Sequence, residues 1–326
     1  MVTNENFNIH CLKFVSIISV ISYHYFLNKY PLFGNGYLGV DIFFIISGFL
    51  ITKSIAQHNY NYKNFLIRRF LRIFPSLIIV TLLFSFFFYV FLFDEDLIKI
   101  LKSNYINFTA TSNFFYYNKK IEYGSPDSST IPFLHTWSLS IEVQFYLLIA
   151  ILFTFKYFRS PKFILILLIF LYLLFIFAND ENKKFFLTHL RLYEFFIGVF
   201  LVFVTPFKIK YILNICYILI VIILLYPEVF LYNKEIIIFL TSCVLIANSN
   251  LFVYYINFIN KIIIYISNIS YSLYLIHNPI VYYLLYIHVN FEFLTAISYV
   301  NFICASLFLS ILNYHFIEKL FWKKSK

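Results

Sequence analysis

Charge is what this sequence has least of. Only 12% of its 326 residues are Asp, Glu, Lys or Arg, about half the roughly 25% of soluble globular domains. That scarcity excludes an ordinary water-exposed surface. Six glycines and eight prolines are too few to turn the many hairpins of a transmembrane β-barrel. Cysteine is scarce too: Cys11, Cys216, Cys243 and Cys304 lie in or beside apolar stretches. They show neither metal-ligand spacing nor paired outer-loop positions, so neither a disulfide nor a metal site is expected. Basic residues outnumber acidic ones, giving +10, but no soluble basic segment is present to bind nucleic acid.

What the chain does have is apolar length. Residues of the AVILMFWYC set make up 62% of it, in continuous runs near the roughly 20 residues that carry a helix across a bilayer. The pattern predicts an all-α, polytopic membrane helix bundle with about ten spans, at 9–28, 36–56, 73–93, 137–155, 163–179, 187–205, 209–226, 235–250, 265–287 and 294–313. It reads as one domain over 1–326, with no soluble extracytoplasmic domain appended. The first apolar stretch exceeds a signal h-region and lacks a small-residue cleavage site, so it is expected to stay in the membrane. With the N-terminus inside, the inner loops and tail hold fifteen of the 25 Lys and Arg residues and the outer loops eight, with Lys13 and Arg191 within spans. That bias predicts that both termini are cytoplasmic.

The first span carries Lys13 and, ten intervening residues later, His24. Eleven residues of α-helix rise about 16 Å and return to nearly the same face. Neither side chain is cheap in hydrocarbon, so that face is expected to line a cavity. Asp41, near the outer end of the second span, either reaches water or pairs with an imidazole or arginine. In the same span Gly39, Ser47 and Gly48 read as close-packing positions.

Ahead of the third span stand Arg68, Arg69 and Arg72, with Pro75 a turn further on. The cluster reads either as a positive-inside anchor touching anionic lipid or as a bidentate clamp for phosphate. The fourth span opens with His135, Trp137, Ser138, Ser140, Glu142 and Gln144. Trp137 fits an interfacial aromatic belt, but Glu142, two turns in, calls for a cation, a donor or water. Arg191 and Glu194, three apart, suit an ion pair. His277 reads as a packed histidine ahead of a kink at Pro279. The long stretch 94–135 is either a solvated connector or part of an acceptor site.

Taken in order, Lys13 with His24, GYLGVDIFFIISGFLIT, RRFLRIFPSL, HTWSLSIEVQFYLL, RLYEFFIG and ISYSLYLIHNP resemble the membrane acyltransferase family 3, which contains bacterial O-antigen and exopolysaccharide O-acetyltransferases. The resemblance covers nearly the whole chain. It implies transfer of an acyl group, most often acetyl, from cytosolic acetyl-CoA to a hydroxyl of an extracytoplasmic glycan or its lipid-linked precursor, in the cytoplasmic (inner) membrane of a bacterium. The family's first-span basic residue and histidine map onto Lys13 and His24, and its Arg-x-x-Arg onto Arg69 and Arg72. Lys13 stands where Arg is also common, and the family's Glu-Glu-Gln reads Glu142-Val143-Gln144 here. On this reading His24 is base or acyl carrier and Asp41 or Glu142 orients it. Lys13, Arg69 and Arg72 face the donor, and His135, Trp137, Ser138 and Arg191 face the acceptor. A transporter or flippase of a glycan intermediate is the alternative that the same polar residues allow.

Overall fold

A backbone in hydrocarbon has no water to bond, so it must satisfy its own N–H and C=O groups. The chain does so as helix, with no strand among the described residues. In a computed structural model these are 4–26, 33–91, 104–125, 131–206, 210–226, 232–247, 257–291 and 297–323. The acidic run Asp94, Glu95 and Asp96 and most of SPDSST lie outside them. The helices are α1 (Asn4–Phe26), α2 (Gly39–Gln57), α3 (Tyr62–Phe91), α4 (Ser112–Asn118), α5 (Trp137–Thr154), α6 (Pro161–Phe177) and α7 (Glu181–Phe186). They continue as α8 (Thr188–Leu201), α9 (Lys210–Leu225), α10 (Asn233–Ile246), α11 (Asn257–Asn268), α12 (Ser270–Phe291), α13 (Ile297–Asn313) and α14 (Lys319–Lys323), with a π-helical turn at Tyr314–Glu318.

Among the described residues five helices are long and apolar enough to cross a membrane, and six if the broken pair α11–α12 is one span. Several expected spans are shorter: α6, α8, α9 and α10 have 17, 14, 16 and 14 residues. The break in the ninth expected span falls at Ile269, between Asn268 and Ser270. It does not fall at Pro279, which α12 absorbs within its length. Likewise α3 begins at Tyr62 and runs 30 residues through Pro75, so Arg69 and Arg72 sit on the helix and not in the connection before it.

Two compact units make up the chain. The first comprises Met1–Tyr60, Leu152–Phe177 and Leu192–Ser270. Its core joins Phe7, Leu12, Ile42, Ile45, Leu213, Ile220, Ile237 and Val244. Small residues bring its backbones together. A methyl group on Gly36 or Gly39 would strike the α1 carbonyls of Ser19 and Ser16. Gly48 and Gly198 form a reciprocal contact, each lying on the backbone of the other's helix at Phe195 and Ile45, the close approach that glycine permits between membrane helices. The α1–α2 connector is tied down by Asn35, whose side-chain amide donates to the Ile223 carbonyl at 3.0 Å.

The second unit comprises Asn61–Ile151, Ala178–Arg191 and Tyr271–Lys326. Pro75 removes one backbone donor from α3, and neighbouring polar groups gather beside it. The Tyr271 hydroxyl donates to the Ile73 carbonyl at 2.7 Å, and the Asn313 amide reaches Ser76 at 3.3 Å and Ser272 at 2.8 Å. Ser272 in turn donates to Glu318 on the π-helical turn at 2.8 Å.

Candidate functional site

In the first unit, α1 carries Lys13 and His24, both partly buried. The Nδ1 of His24 lies 2.9 Å from the Val20 carbonyl one turn back. A carbonyl only accepts, so Nδ1 carries the proton in the neutral ring and the lone pair resides on Nε2. The ring meets Tyr23 edge-on at 5.5 Å, and Tyr23 packs on Tyr37 at 5.6 Å. Lys13 lies within electrostatic reach of His10, whose Nδ1 is 2.8 Å from the Ser267 hydroxyl.

Asp41 sits in the first turn of α2, fully buried. The Lys234 ammonium lies 3.4 Å from its carboxylate and 2.8 Å from that of Glu194. One cation thus ties α2, α8 and α10 together. The lysine is itself half-roofed by rings, 4.6 Å from the Phe175 centroid and 5.5 Å from that of Tyr193. Its side chain is only 19% exposed. The sequence reading paired Glu194 with Arg191 and placed Lys234 in an outer loop. It missed Lys234 because a lone lysine at the start of an apolar run resembles an interfacial anchor.

In the second unit, Arg69 packs over the rings of Phe65 and Tyr146, at 5.5 and 5.6 Å. The Tyr146 hydroxyl donates to Glu142 at 2.5 Å. Both Arg69 and Arg72 lie within electrostatic range of Tyr146. Glu142 therefore belongs with the arginine pair through Tyr146, one turn further along α5, a link no spacing rule suggested.

His135, Ser138, Tyr274 and His277 form a buried knot in the same unit. The Ser138 and Tyr274 hydroxyls are 2.6 Å apart, and Tyr274 donates to the His135 carbonyl at 2.7 Å. The His135 and His277 rings meet at 5.1 Å. His135 Nε2 lies 3.3 Å from the Leu275 carbonyl, and His277 Nδ1 lies 3.1 Å from that of Leu273.

Trp137 does not join an interfacial belt: it is 1% exposed. The short helix α7, N-capped by Asp180 through the amides of Asn182 and Lys183 at 2.9 and 3.1 Å, delivers Phe185 and Phe186 onto the indole at 4.5 and 5.6 Å. Arg191 stacks over Trp137 and Phe185 at 5.5 and 5.6 Å. Of the four residues expected on the acceptor side, Trp137 joins Arg191 and His135 joins Ser138.

The stretch before α5 is not a solvated connector over its described part. Asn104, Asn107, Ser112, Asn113 and Tyr116 are buried. Thr136, Ser140 and Gln144, four residues apart and hence one stripe, hold it. Thr136 donates to Asn107 at 2.7 Å, the Ser140 and Ser112 hydroxyls are 2.7 Å apart, and the Gln144 amide donates to Ala110 at 2.8 Å and Asn113 at 3.0 Å. Thr188 donates to the Gln144 oxygen, and Asn113 donates to Thr188 at 3.0 Å.

Comparison with known proteins follows the same outline. The model of an acyltransferase domain family (Acyl_transf_3) matches residues 6–315. The peptidoglycan O-acetyltransferase OatA of Listeria monocytogenes is 30% identical over 308 residues, covering 83% of this chain and 48% of the relative. SACOL0978 of Staphylococcus aureus, a protein carrying an O-acetyltransferase name, is 30% identical over 354 residues, covering 96% of this chain and 56% of the relative. The chain thus spans about half the length of these relatives. No solved structure matches it significantly.

Proposed function

As the chain belongs to the Acyl_transf_3 acyltransferase family, we propose that it is a membrane O-acyltransferase moving an acetyl group from cytosolic acetyl-CoA to a hydroxyl of an extracytoplasmic glycan. The observation that carries this reading is the family match over 6–315. It favours chemistry over the transporter reading. The name of the Listeria relative favours peptidoglycan as the acceptor, ahead of the O-antigen, capsule or exopolysaccharide suggested by the motif resemblance. The topology belongs to the proposal: a single membrane domain of about ten spans in a bacterial cytoplasmic membrane, with both termini inside.

The roles follow from what the side chains offer. Arg69 and Arg72 hold donor phosphates, for which a guanidinium fork is suited. The Glu142 carboxylate, bonded by Tyr146, keeps that cluster from being purely cationic. Lys13, about 16 Å below His24 along α1, meets anionic groups of the donor on the cytosolic side, leaving the thioester to reach His24. With the proton of His24 committed to Val20, Nε2 is the atom that takes the proton of the acceptor hydroxyl or, in a two-step route, the acyl group itself. Asp41, bound to Lys234, holds α2 against α10. Trp137, Arg191, His135 and Ser138 shape the acceptor side.

Purified protein in liposomes, given labelled acetyl-CoA with peptidoglycan fragments or with other surface polysaccharides, tests the proposal. Label should pass to one glycan class, and His24→Ala should lower transfer by about 100-fold or more at equal protein level. Full transfer by His24→Ala refutes the catalytic assignment. Movement of glycan without label refutes the enzyme. Label on the protein itself that hydroxylamine releases and that His24→Ala does not acquire would select the acyl-carrier route, since an acylimidazole is a labile acyl donor.

A further inference from the structure

Beside Arg69 the second unit carries a groove between α3 and α5 of about 310 Å3. That is the low end of the roughly 300–1,000 Å3 typical of small-molecule sites, room for one chain more than for a compact ligand. Phe70, Phe74, Val143, Tyr146 and Leu147 line it, and Arg69 is the one charged residue among those that do. On α3 the lining runs from Leu66 to Phe74, about 12 Å of helix rise.

Three rim residues, Ile67, Phe70 and Leu147, are 46%, 54% and 51% exposed. They stand on helices long and apolar enough to cross a membrane, where an exposed apolar face meets lipid. The polar pantetheine arm of coenzyme A is a poor occupant, because its amides would lose their hydrogen bonds against such walls. A hydrocarbon chain loses none. The guanidinium supplies the charge that a phosphate at the head of such a chain requires.

We propose that this groove binds one acyl chain of an anionic phospholipid, with Arg69 meeting the lipid phosphate. Arg72 is not among the lining residues and stays available to other anions. The site shares Arg69 with the proposed donor clamp, so lipid and donor compete there, and lipid binding is tested without any assay of activity.

Native mass spectrometry of the whole protein, offered equal phosphatidylglycerol and phosphatidylcholine in detergent, reads the preference directly. The wild-type chain should retain phosphatidylglycerol about tenfold over phosphatidylcholine, whose choline ammonium offsets the phosphate charge that Arg69 meets, a difference on the scale of one charge-assisted contact. Val143→Glu, which sets a carboxylate on the wall that Arg69 shares, should abolish that preference. Leu147→Trp, at an exposed rim position that tolerates bulk, should lower retention by filling the groove without adding charge. If Val143→Glu fails to fold, Leu147→Trp decides. Equal retention of the two lipids by wild type overturns the proposal. So does preferential retention that survives the groove-filling variant, since headgroup binding elsewhere on the arginine cluster would then account for it.

Discussion

The Lys234 cluster of the first unit and the α5 stripe of the second bury polarity in opposite ways. The first concentrates charge: one ammonium, Lys234, faces two carboxylates, Asp41 and Glu194, on two other helices. The second, along α5, uses neutral groups, with Thr136, Ser140 and Gln144 each making hydrogen bonds into the 104–118 stretch. A buried ion cluster is costly to assemble and costlier to break, because removing one partner leaves the opposite charge poorly compensated. A hydroxyl–amide ladder spreads its contribution over many bonds of modest worth. The first arrangement fixes a few points hard; the second holds a surface together cooperatively.

That contrast orders the expected effects of substitution. Lys234→Met removes the ammonium both carboxylates face and should cost about 3–5 kcal/mol, read as a lowered midpoint of thermal unfolding in detergent. Adding Glu194→Gln should restore part of the loss. If the double variant is no more stable than the single one, charge compensation is not what Lys234 supplies. Gln144→Leu, which breaks bonds to Ala110, Asn113 and Thr188, should cost about 1–3 kcal/mol. Its signature is faster proteolysis within 104–118, with the first unit unchanged by hydrogen exchange. Ser138→Ala should cost least, roughly 0.5–1.5 kcal/mol, since Tyr274 keeps its bond to the His135 carbonyl. A Gln144 variant more damaging than the Lys234 variant would reverse the ranking and break the comparison.

Fold class was plain from hydropathy, because continuous apolar runs in a charge-poor chain leave few alternatives to helix. The packing role of Gly39 and Gly48 was also legible, since glycine among large apolar residues marks close approach. Partner choice was not. Lys234, some forty residues beyond Glu194, reaches that carboxylate, and no local rule carries that distance. Trp137 looked interfacial because tryptophan favours that depth; what buries it is Phe185 and Phe186, delivered by a helix of six residues that hydropathy does not reveal. The polar stretch before α5 reads from sequence either as a solvated connector or as part of an acceptor site, because its partners Ser140 and Gln144 lie inside a segment classed as a span. The lipid-facing groove depends on which walls face each other, and sequence order does not carry that.

The reciprocal contact of Gly48 and Gly198 has a consequence for evolution and engineering. Asp41 lies seven residues before Gly48, two turns of α2, and Glu194 lies four before Gly198, one turn of α8. The glycine contact acts as an origin from which both carboxylates are measured in whole turns. Insertion or deletion of a single residue between either carboxylate and its glycine would swing that acid by about 100° away from Lys234. Length between those positions is therefore expected to be inherited more strictly than the identity of the residues that fill it.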